Sequence, residues 1–104
     1  GLPLVVINTH LSKPAESEVP LEEVMRTFAG HPRAVLVGDF NAGKDHPAMR
    51  RWMPSDAEDA LSDLDDHDRV DMIWVRGLKV EKAWSQPVGP SDHPFFAVRI
   101  RVVD

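Results

Sequence analysis

The chain has 104 residues, of which 42% are apolar, so it can form one small domain but not two. Its net charge of −5 argues against a surface built mainly for duplex nucleic acid, because that affinity depends on Lys and Arg neutralising phosphates. The absence of cysteine excludes disulfides, thiolate metal sites and cysteine nucleophiles.

The N-terminus offers no targeting signal. The chain opens Gly1-Leu2-Pro3 without Met, and no basic segment precedes an apolar one, so a signal peptide is not indicated. No apolar run approaches the ~20 residues of a membrane span. We therefore expect a soluble protein of unassigned compartment, with sequence missing upstream of Gly1.

The first third of the sequence predicts a strand, a helix and a second strand. Leu4 to Asn8 is a short β-branched run, and Leu21 to Phe28 has apolar residues at helical spacing before Gly30. Ala34 to Gly38 is again apolar and short. A connection of this kind is normally a right-handed crossover, which leaves the two strands parallel.

The middle of the chain is predicted to hold little regular structure. Residues 44–53 indicate a loop that enters a short helix, with Pro47 in its first turn and Pro54 at its end. Residues 55–69 are rich in carboxylates but lack the D-x-D-x-D-G spacing of a calcium loop. For this segment we favour a solvated loop or short helix.

The last third predicts three strands. Val70 to Val75 and Leu78 to Trp84 flank a turn at Gly77 and are expected to form a hairpin, and Phe95 to Val103 is the closing strand. The whole pattern predicts an α/β fold with a mixed β-sheet of about five strands and helices on one face.

Polar residues fall where these strands begin or end. If the C-terminal strands run antiparallel to the first two, the polar groups meet at one edge of the sheet, the usual place for a site in an α/β fold. The residues concerned are His10, Asp39, Asn41, Asp71, Asp92 and His93.

This set of side chains is suited to metal-assisted phosphoester hydrolysis. Carboxylate and amide oxygens suit Mg²⁺, and histidines can bind phosphoryl oxygens or move a proton near neutral pH. Structural explanations stay open for each residue alone: Asp39 and Asn41 as a turn or cap, Asp71 as a partner of Arg69 or Arg99, and residues 91–94 as a plain turn.

Four segments together resemble a known family. They are INTHLS (7–12), VGDFNA (37–42), DRVDMIWV (68–75) and SDHPFFAV (91–98). In this order they are similar to the C-terminal motifs of the endonuclease/exonuclease/phosphatase superfamily, which is DNase I-like. The resemblance implies that residues 1–104 are a single, partial domain, half of a four-layer α/β/β/α sandwich whose N-terminal half is absent.

The resemblance also implies roles for the site residues. Asp39 would position or activate the attacking water, Asn41 would hold the nucleophile and a phosphoryl oxygen, and His10 would bind the phosphate. Asp71 would pair with His93, which would stabilise the transition state or act as the acid-base group.

A metal site is implied at the same edge. Asp92 and Asp39 would bind Mg²⁺ or Mn²⁺, but the Glu that serves the family as principal ligand has no counterpart here. We therefore expect weak metal affinity and low or no activity in the isolated chain. A half-sandwich would also expose one sheet face, so we expect self-association, as a two-fold dimer, through that face.

Three functional interpretations follow. The leading one is a metal-dependent phosphoesterase acting on a small or lipid-linked phosphoester. The second is an Mg²⁺-dependent nuclease acting on DNA or RNA, with cations gathered near the site to hold phosphates. The third is a non-catalytic half-domain that binds a partner through its exposed sheet. The cations expected for the nuclease are Lys13, Lys44, Arg50 and Arg51.

Overall fold

The computed structural model describes residues 3–64, 69–86 and 95–103, except for the side chain of Phe95. A 3-10 turn at Ser62–Leu64 adds to the helices and strands of these residues. In chain order those elements are β1 (Val5–His10), α1 (Val19–Ala29), β2 (Ala34–Asp39), α2 (Pro47–Trp52), β3 (Glu58–Asp59), β4 (Asp71–Arg76), β5 (Leu78–Gln86) and β6 (Phe95–Val102).

A mixed four-stranded sheet forms the centre of the fold, in the order β1-β2-β4-β3. β1 and β2 are parallel, as the crossover through α1 predicts, and β4 runs antiparallel to both β2 and β3. The predicted α/β class is confirmed. The architecture is compatible with half of a DNase I-like sandwich.

The expected hairpin of β4 and β5 is wrong. β5 pairs instead with β6, antiparallel, in a separate two-stranded sheet. Only Gly77 separates β4 from β5, and it has a φ of +68°. A Cβ at Gly77 would lie 2.1 Å from the carbonyl oxygen of Pro32, which lies just before β2, so only glycine fits at this position. The chain turns sharply at Gly77 and leaves the first sheet.

The helices cover one face of the central sheet. α1 begins with a proline in its first turn and turns Leu21, Met25 and Phe28 inward at helical spacing. These side chains pack with Leu36 of β2 and Met49 of α2 in the main core cluster. The helical layer therefore fixes the height and direction of the strands whose ends form the candidate site.

The opposite face of the sheet is covered in part by the β5–β6 pair. Val35 and Val75 are buried there against Leu78, whereas Val6 on the edge strand β1 is 64% exposed. Less of this face is bare than a half-sandwich predicts, because the second sheet packs on it.

In the described part of the chain, no helix is long and apolar enough to cross a membrane.

The acidic segment is more ordered than a solvated loop. Glu58 and Asp59 pair with β4, and the next two residues, Ala60 and Leu61, are buried. The strand was missed because two residues give no periodicity, while the short helical turn after Leu61 agrees with the expectation. Residues 65–68 lie outside the described part of the chain.

Candidate active site

Three of the expected site residues lie side by side across the central sheet. His10 at the end of β1 is in register with Asp39 at the end of β2, and Asp39 is in register with Asp71 at the start of β4. Because side chains of registered neighbours project from the same face, this polar row (His10, Asp39 and Asp71) is a continuous strip. The predicted convergence of these three residues is therefore correct.

His10 and Asp39 are close enough to interact electrostatically. The His10 Nε2 atom lies 3.7 Å from the Asp39 Oδ2 atom. The imidazole is 77% exposed and the carboxylate 20% exposed, so water or a ligand can reach the first while the second is held by the protein. His10 can therefore act as an exposed hydrogen-bond donor beside the Asp39 carboxylate, which the protein holds in place.

Asn41 is fixed in the turn that follows β2. Its backbone adopts the left-handed conformation (φ 51°), which Asn tolerates better than most residues. Its backbone N–H donates to Asp39 Oδ1 over 2.9 Å, and its side-chain Nδ2 donates to the Leu11 carbonyl oxygen. The D-x-N segment is thus a turn, as its structural explanation requires, and the Asn41 carboxamide keeps its oxygen as a hydrogen-bond acceptor.

Gly38 allows β1 and β2 to approach closely next to the polar row. Its φ is +147°, and a Cβ there would lie 1.8 Å from the Thr9 carbonyl oxygen. Any other residue would push the strands apart one step before His10 and Asp39. The glycine of VGDFNA therefore sets the spacing of the site.

A cavity of about 330 Å³ opens along this strip. It contains the whole polar row together with Asn8, and Leu61 and Phe96 add apolar wall. A concave site with a few convergent polar groups on an apolar background is the usual form of a small-molecule site.

Residues 18–93 match the sequence profile of the Endonuclease/Exonuclease/phosphatase family. The chain belongs to this family. Family membership indicates a hydrolase that acts on phosphoester bonds. A search of curated proteins found no match to the chain.

Two residues of the family pattern, Asp92 and His93, lie outside the described residues. Their positions relative to the polar row, and the expected pairing of His93 with Asp71, stay predictions. The profile match includes both of them, along with Asp39, Asn41 and Asp71, and begins after His10.

The described side chains do not form a complete metal site by themselves. Within residues 3–64, 69–86 and 95–103, no group of three or more His, Asp and Glu side chains could hold a metal ion. The hard oxygens that are present, the carboxylates of Asp39 and Asp71, fit an ion such as Mg²⁺ that takes one or two carboxylates and keeps most of its waters. They do not fit an ion that needs a complete protein cage.

A buried charged network supports the start of β4, and sequence reasoning missed it. The Arg69 side chain is 4% exposed and donates from Nη2 to Asp59 Oδ2 (3.3 Å) and from Nη1 to the Asp71 carbonyl oxygen (3.1 Å). Lys44 Nζ lies 4.0 Å from the same Asp59 oxygen. The guanidinium carbon of Arg69 also lies 5.7 Å from the centre of the Phe96 ring. Arg69 therefore links β3, β4 and β6 around the cavity.

The sequence points to this network only weakly. Arg69 directly precedes an apolar strand, and it is one of the two arginines that could pair with Asp71. The observed bond, however, goes to the Asp71 backbone, while the carboxylate that Arg69 pairs with is Asp59 on β3. A partner on an unpredicted strand could not have been named from the sequence.

The cations expected for a nuclease do not gather at the cavity. Arg50 pairs with Asp45 over 3.1 Å, and Lys44 pairs with Asp59. Arg51 pairs with Glu18, and neither these three nor Lys13 lines the cavity. Because carboxylates already neutralise three of these cations, they give no support to phosphate binding at the site.

Proposed function

We propose that this chain forms the catalytic edge of a metal-dependent phosphoesterase, in which an activated water hydrolyses a phosphodiester or phosphomonoester. The observation that supports the proposal is the polar row, three chemically suited residues that are in register and line one cavity. The cavity admits a phosphate and its substituent without requiring a long basic track, which favours a small or lipid-linked substrate.

The residues of the chain would divide the work as follows. Asp39, held by the Asn41 N–H through Oδ1, would use Oδ2 to orient the attacking water and accept its proton. The exposed His10 imidazole would donate to a phosphoryl oxygen. The Asn41 carboxamide oxygen would accept a hydrogen bond from the water and so fix its direction of attack.

The remaining roles depend on the C-terminal motif. His93, oriented by Asp71, would stabilise charge on the phosphoryl group or protonate the leaving oxygen. Mg²⁺ or Mn²⁺, held by Asp39 and Asp92, would supply Lewis-acid stabilisation of that charge when bound. In the described residues the cavity lining includes no Glu, and the weak metal affinity expected from the sequence stays a prediction.

Hydrolysis assays test the proposal directly. The chain is incubated with bis-p-nitrophenyl phosphate, p-nitrophenyl phosphate or plasmid DNA, with Mg²⁺ or Mn²⁺, and compared with the variants Asp39→Ala and Asp45→Ala. Asp45 is an exposed carboxylate outside the cavity, so it controls for the loss of one negative charge. We expect slow, metal-dependent turnover that Asp39→Ala abolishes and Asp45→Ala preserves; equal turnover in all three proteins would contradict the proposal.

A binding measurement tests the site without requiring turnover. Paramagnetic Mn²⁺ broadens nuclear magnetic resonance signals near the bound ion, so the polar row should lose signal first, in the wild type but not in Asp39→Ala. Broadening confined to other residues would remove the metal site from this edge. A non-catalytic half-domain predicts no change in turnover or metal binding from either Asp39→Ala or His93→Ala.

A further inference from the structure

The outward face of the β5–β6 pair concentrates positive charge. Lys79 lies opposite Arg101, and Lys82 lies opposite Arg99, and all four side chains are exposed. The β6 residues that alternate with the two arginines pack inward against the central sheet. These four residues, which we call the cationic face, therefore point together away from the protein.

This arrangement is unfavourable for the fold by itself. Like charges directly opposite each other on an antiparallel pair destabilise it. One carboxylate relieves the repulsion in part: Glu81, displaced by the bulge between Val80 and Lys82, lies 3.8 Å from Arg101. Among the described residues, Lys79, Lys82 and Arg99 have no acidic partner.

Two ordinary explanations do not account for the cationic face. Charges on edge strands discourage edge-to-edge pairing, and both strands of this pair are edges, but that effect does not require like charges directly opposite each other. A generally basic chain would place cations everywhere, yet this chain has 17 Asp and Glu against 12 Lys and Arg. The protein is thus electrically asymmetric, with one positive face on an acidic body.

Apolar and amphipathic groups flank the cations. Val103, two residues beyond Arg101, is 42% exposed, whereas Val102 alternates with Arg101 and lies on the other side of the strand. At the other end Trp84 is half-buried, with Lys82 Nζ 5.5 Å from the centre of its ring. Cations beside an exposed valine and a tryptophan are typical of surfaces that rest on a lipid headgroup layer.

We propose that the cationic face docks the protein onto an anionic phospholipid surface. A single-stranded nucleic acid is the less suitable occupant, because it requires free aromatic faces for base stacking and one face of the Trp84 ring is already taken by Lys82. The exposed Val103 adds nothing to a phosphate backbone but can enter a headgroup layer. A flat membrane also meets only this face and leaves the acidic body directed away from the lipid.

The cavity lies behind the same pair of strands. Trp84 is in register with Ala97, and the preceding residue, Phe96, projects to the opposite side of the strand and lines the cavity wall. A protein resting on the cationic face would therefore keep the cavity on the side of the strand pair that is turned away from the lipid. The binding itself goes beyond the proposed hydrolysis and does not depend on it.

Vesicle co-sedimentation tests the docking with the whole 104-residue chain. The probes are vesicles of phosphatidylcholine alone and of phosphatidylcholine mixed with phosphatidylglycerol, together with a single-stranded oligonucleotide at the same salt concentration. The face variant is Lys79→Gln/Lys82→Gln/Arg99→Gln. The control variant, Lys13→Gln/Arg26→Gln/Arg50→Gln, has the same net charge and alters three exposed cations elsewhere.

We expect binding to the phosphatidylglycerol vesicles only, weakening as salt rises. The face variant should bind about 100-fold less tightly, at roughly fivefold per cation, while the control variant stays close to wild type. Equal weakening in both variants, no binding to the anionic vesicles, or tighter binding to the oligonucleotide would overturn the proposal.

A second variant guards against a folding artefact. Arg99→Glu turns the pair with Lys82 into an attractive one, so the protein should melt no lower than wild type. It should nevertheless bind the anionic vesicles about 25-fold less tightly, because two units of charge are lost from the face. Unchanged vesicle binding by a folded Arg99→Glu protein would also overturn the proposal.

Discussion

Replacing Gly38 with alanine should separate the two strands that align His10 with Asp39. The new Cβ would lie 1.8 Å from the Thr9 carbonyl oxygen, where a C···O contact needs roughly 3.3 Å. β1 must therefore retreat by about 1.5 Å, or β2 must twist away from it. Alanine would also be strained at a φ of +147°, at a cost of about 1–3 kcal/mol.

The total cost of this substitution can be worked out from the neighbouring bonds. A retreat of β1 breaks about two backbone hydrogen bonds at ~1 kcal/mol each. One of these is the bond from the Leu11 N–H to the Asp39 carbonyl, now 2.9 Å. With the backbone strain, the free energy of unfolding should fall by about 3–5 kcal/mol, which lowers the melting temperature by about 12–40 °C.

Thermal unfolding followed by circular dichroism measures this effect, with Gly30→Ala as the matched control. At Gly30 the φ is −80°, and a Cβ would meet the nearest backbone oxygens at 3.4 Å. The control should therefore change the free energy of unfolding by less than ~1 kcal/mol. If Gly38→Ala melts together with Gly30→Ala, the close approach of β1 and β2 does not constrain this position, and the reasoning fails.

Three further predictions concern the buried network, the response to acid and self-association. Arg69→Met should lower the free energy of unfolding by about 3–5 kcal/mol, because it leaves the Asp59 carboxylate, 10% exposed, without its guanidinium. The double variant Arg69→Met/Asp59→Asn should regain part of that loss in urea titrations, and a single variant as stable as wild type would contradict the prediction. Two hydrogen bonds from Arg76 hold the pKa of Asp56 below its usual value, so the folded state binds this proton less readily than the unfolded state. The free energy of unfolding should then fall as pH drops below about 4, and less steeply in Asp56→Asn; parallel pH profiles for the two proteins would refute this. The exposed Val6 marks the uncovered part of the sheet face, so light scattering should give a dimer for wild type and a monomer for Val6→Asp, whereas a wild-type monomer at high concentration would refute self-association.

The elements that the sequence predicts well are those with a complete local signal. α1 has helical apolar spacing and a proline in its first turn, and β1 and β2 each contain a short apolar run with β-branched residues. The predicted ends of the two strands fall short by one or two residues. His10 and Asp39 extend the two strands because they pair with each other across the sheet. Pairing of this kind cannot be recognised from the local sequence.

The elements that the sequence predicts poorly depend on distant partners. The turn at Gly77 indicates a hairpin locally, but the contact of Gly77 with Pro32, far away in sequence, sends the chain to a second sheet. Likewise β3 has only two residues, and it exists because β4 offers them a free edge. Leu61 is buried in an acidic segment for the same reason.

The candidate site likewise has a part that the sequence predicts and a part that depends on distant partners. The directions of the strands were enough to bring His10, Asp39 and Asp71 to one edge, because registered strand ends leave little freedom. The buried Arg69 could not be predicted, since its charge is tolerated only through Asp59 on the unpredicted strand. The roles of these residues in catalysis stay predictions.

The polar row also has a consequence for folding kinetics. Its successive members are about 30 residues apart along the chain, so no local segment contains the site. Both long loops must close before His10, Asp39 and Asp71 meet, and closures of this kind are characteristic of the slower, late steps of folding. The site and the central sheet should therefore form in the same folding step. Protection of the amide hydrogens of β1 and β2 from exchange would show that both have formed.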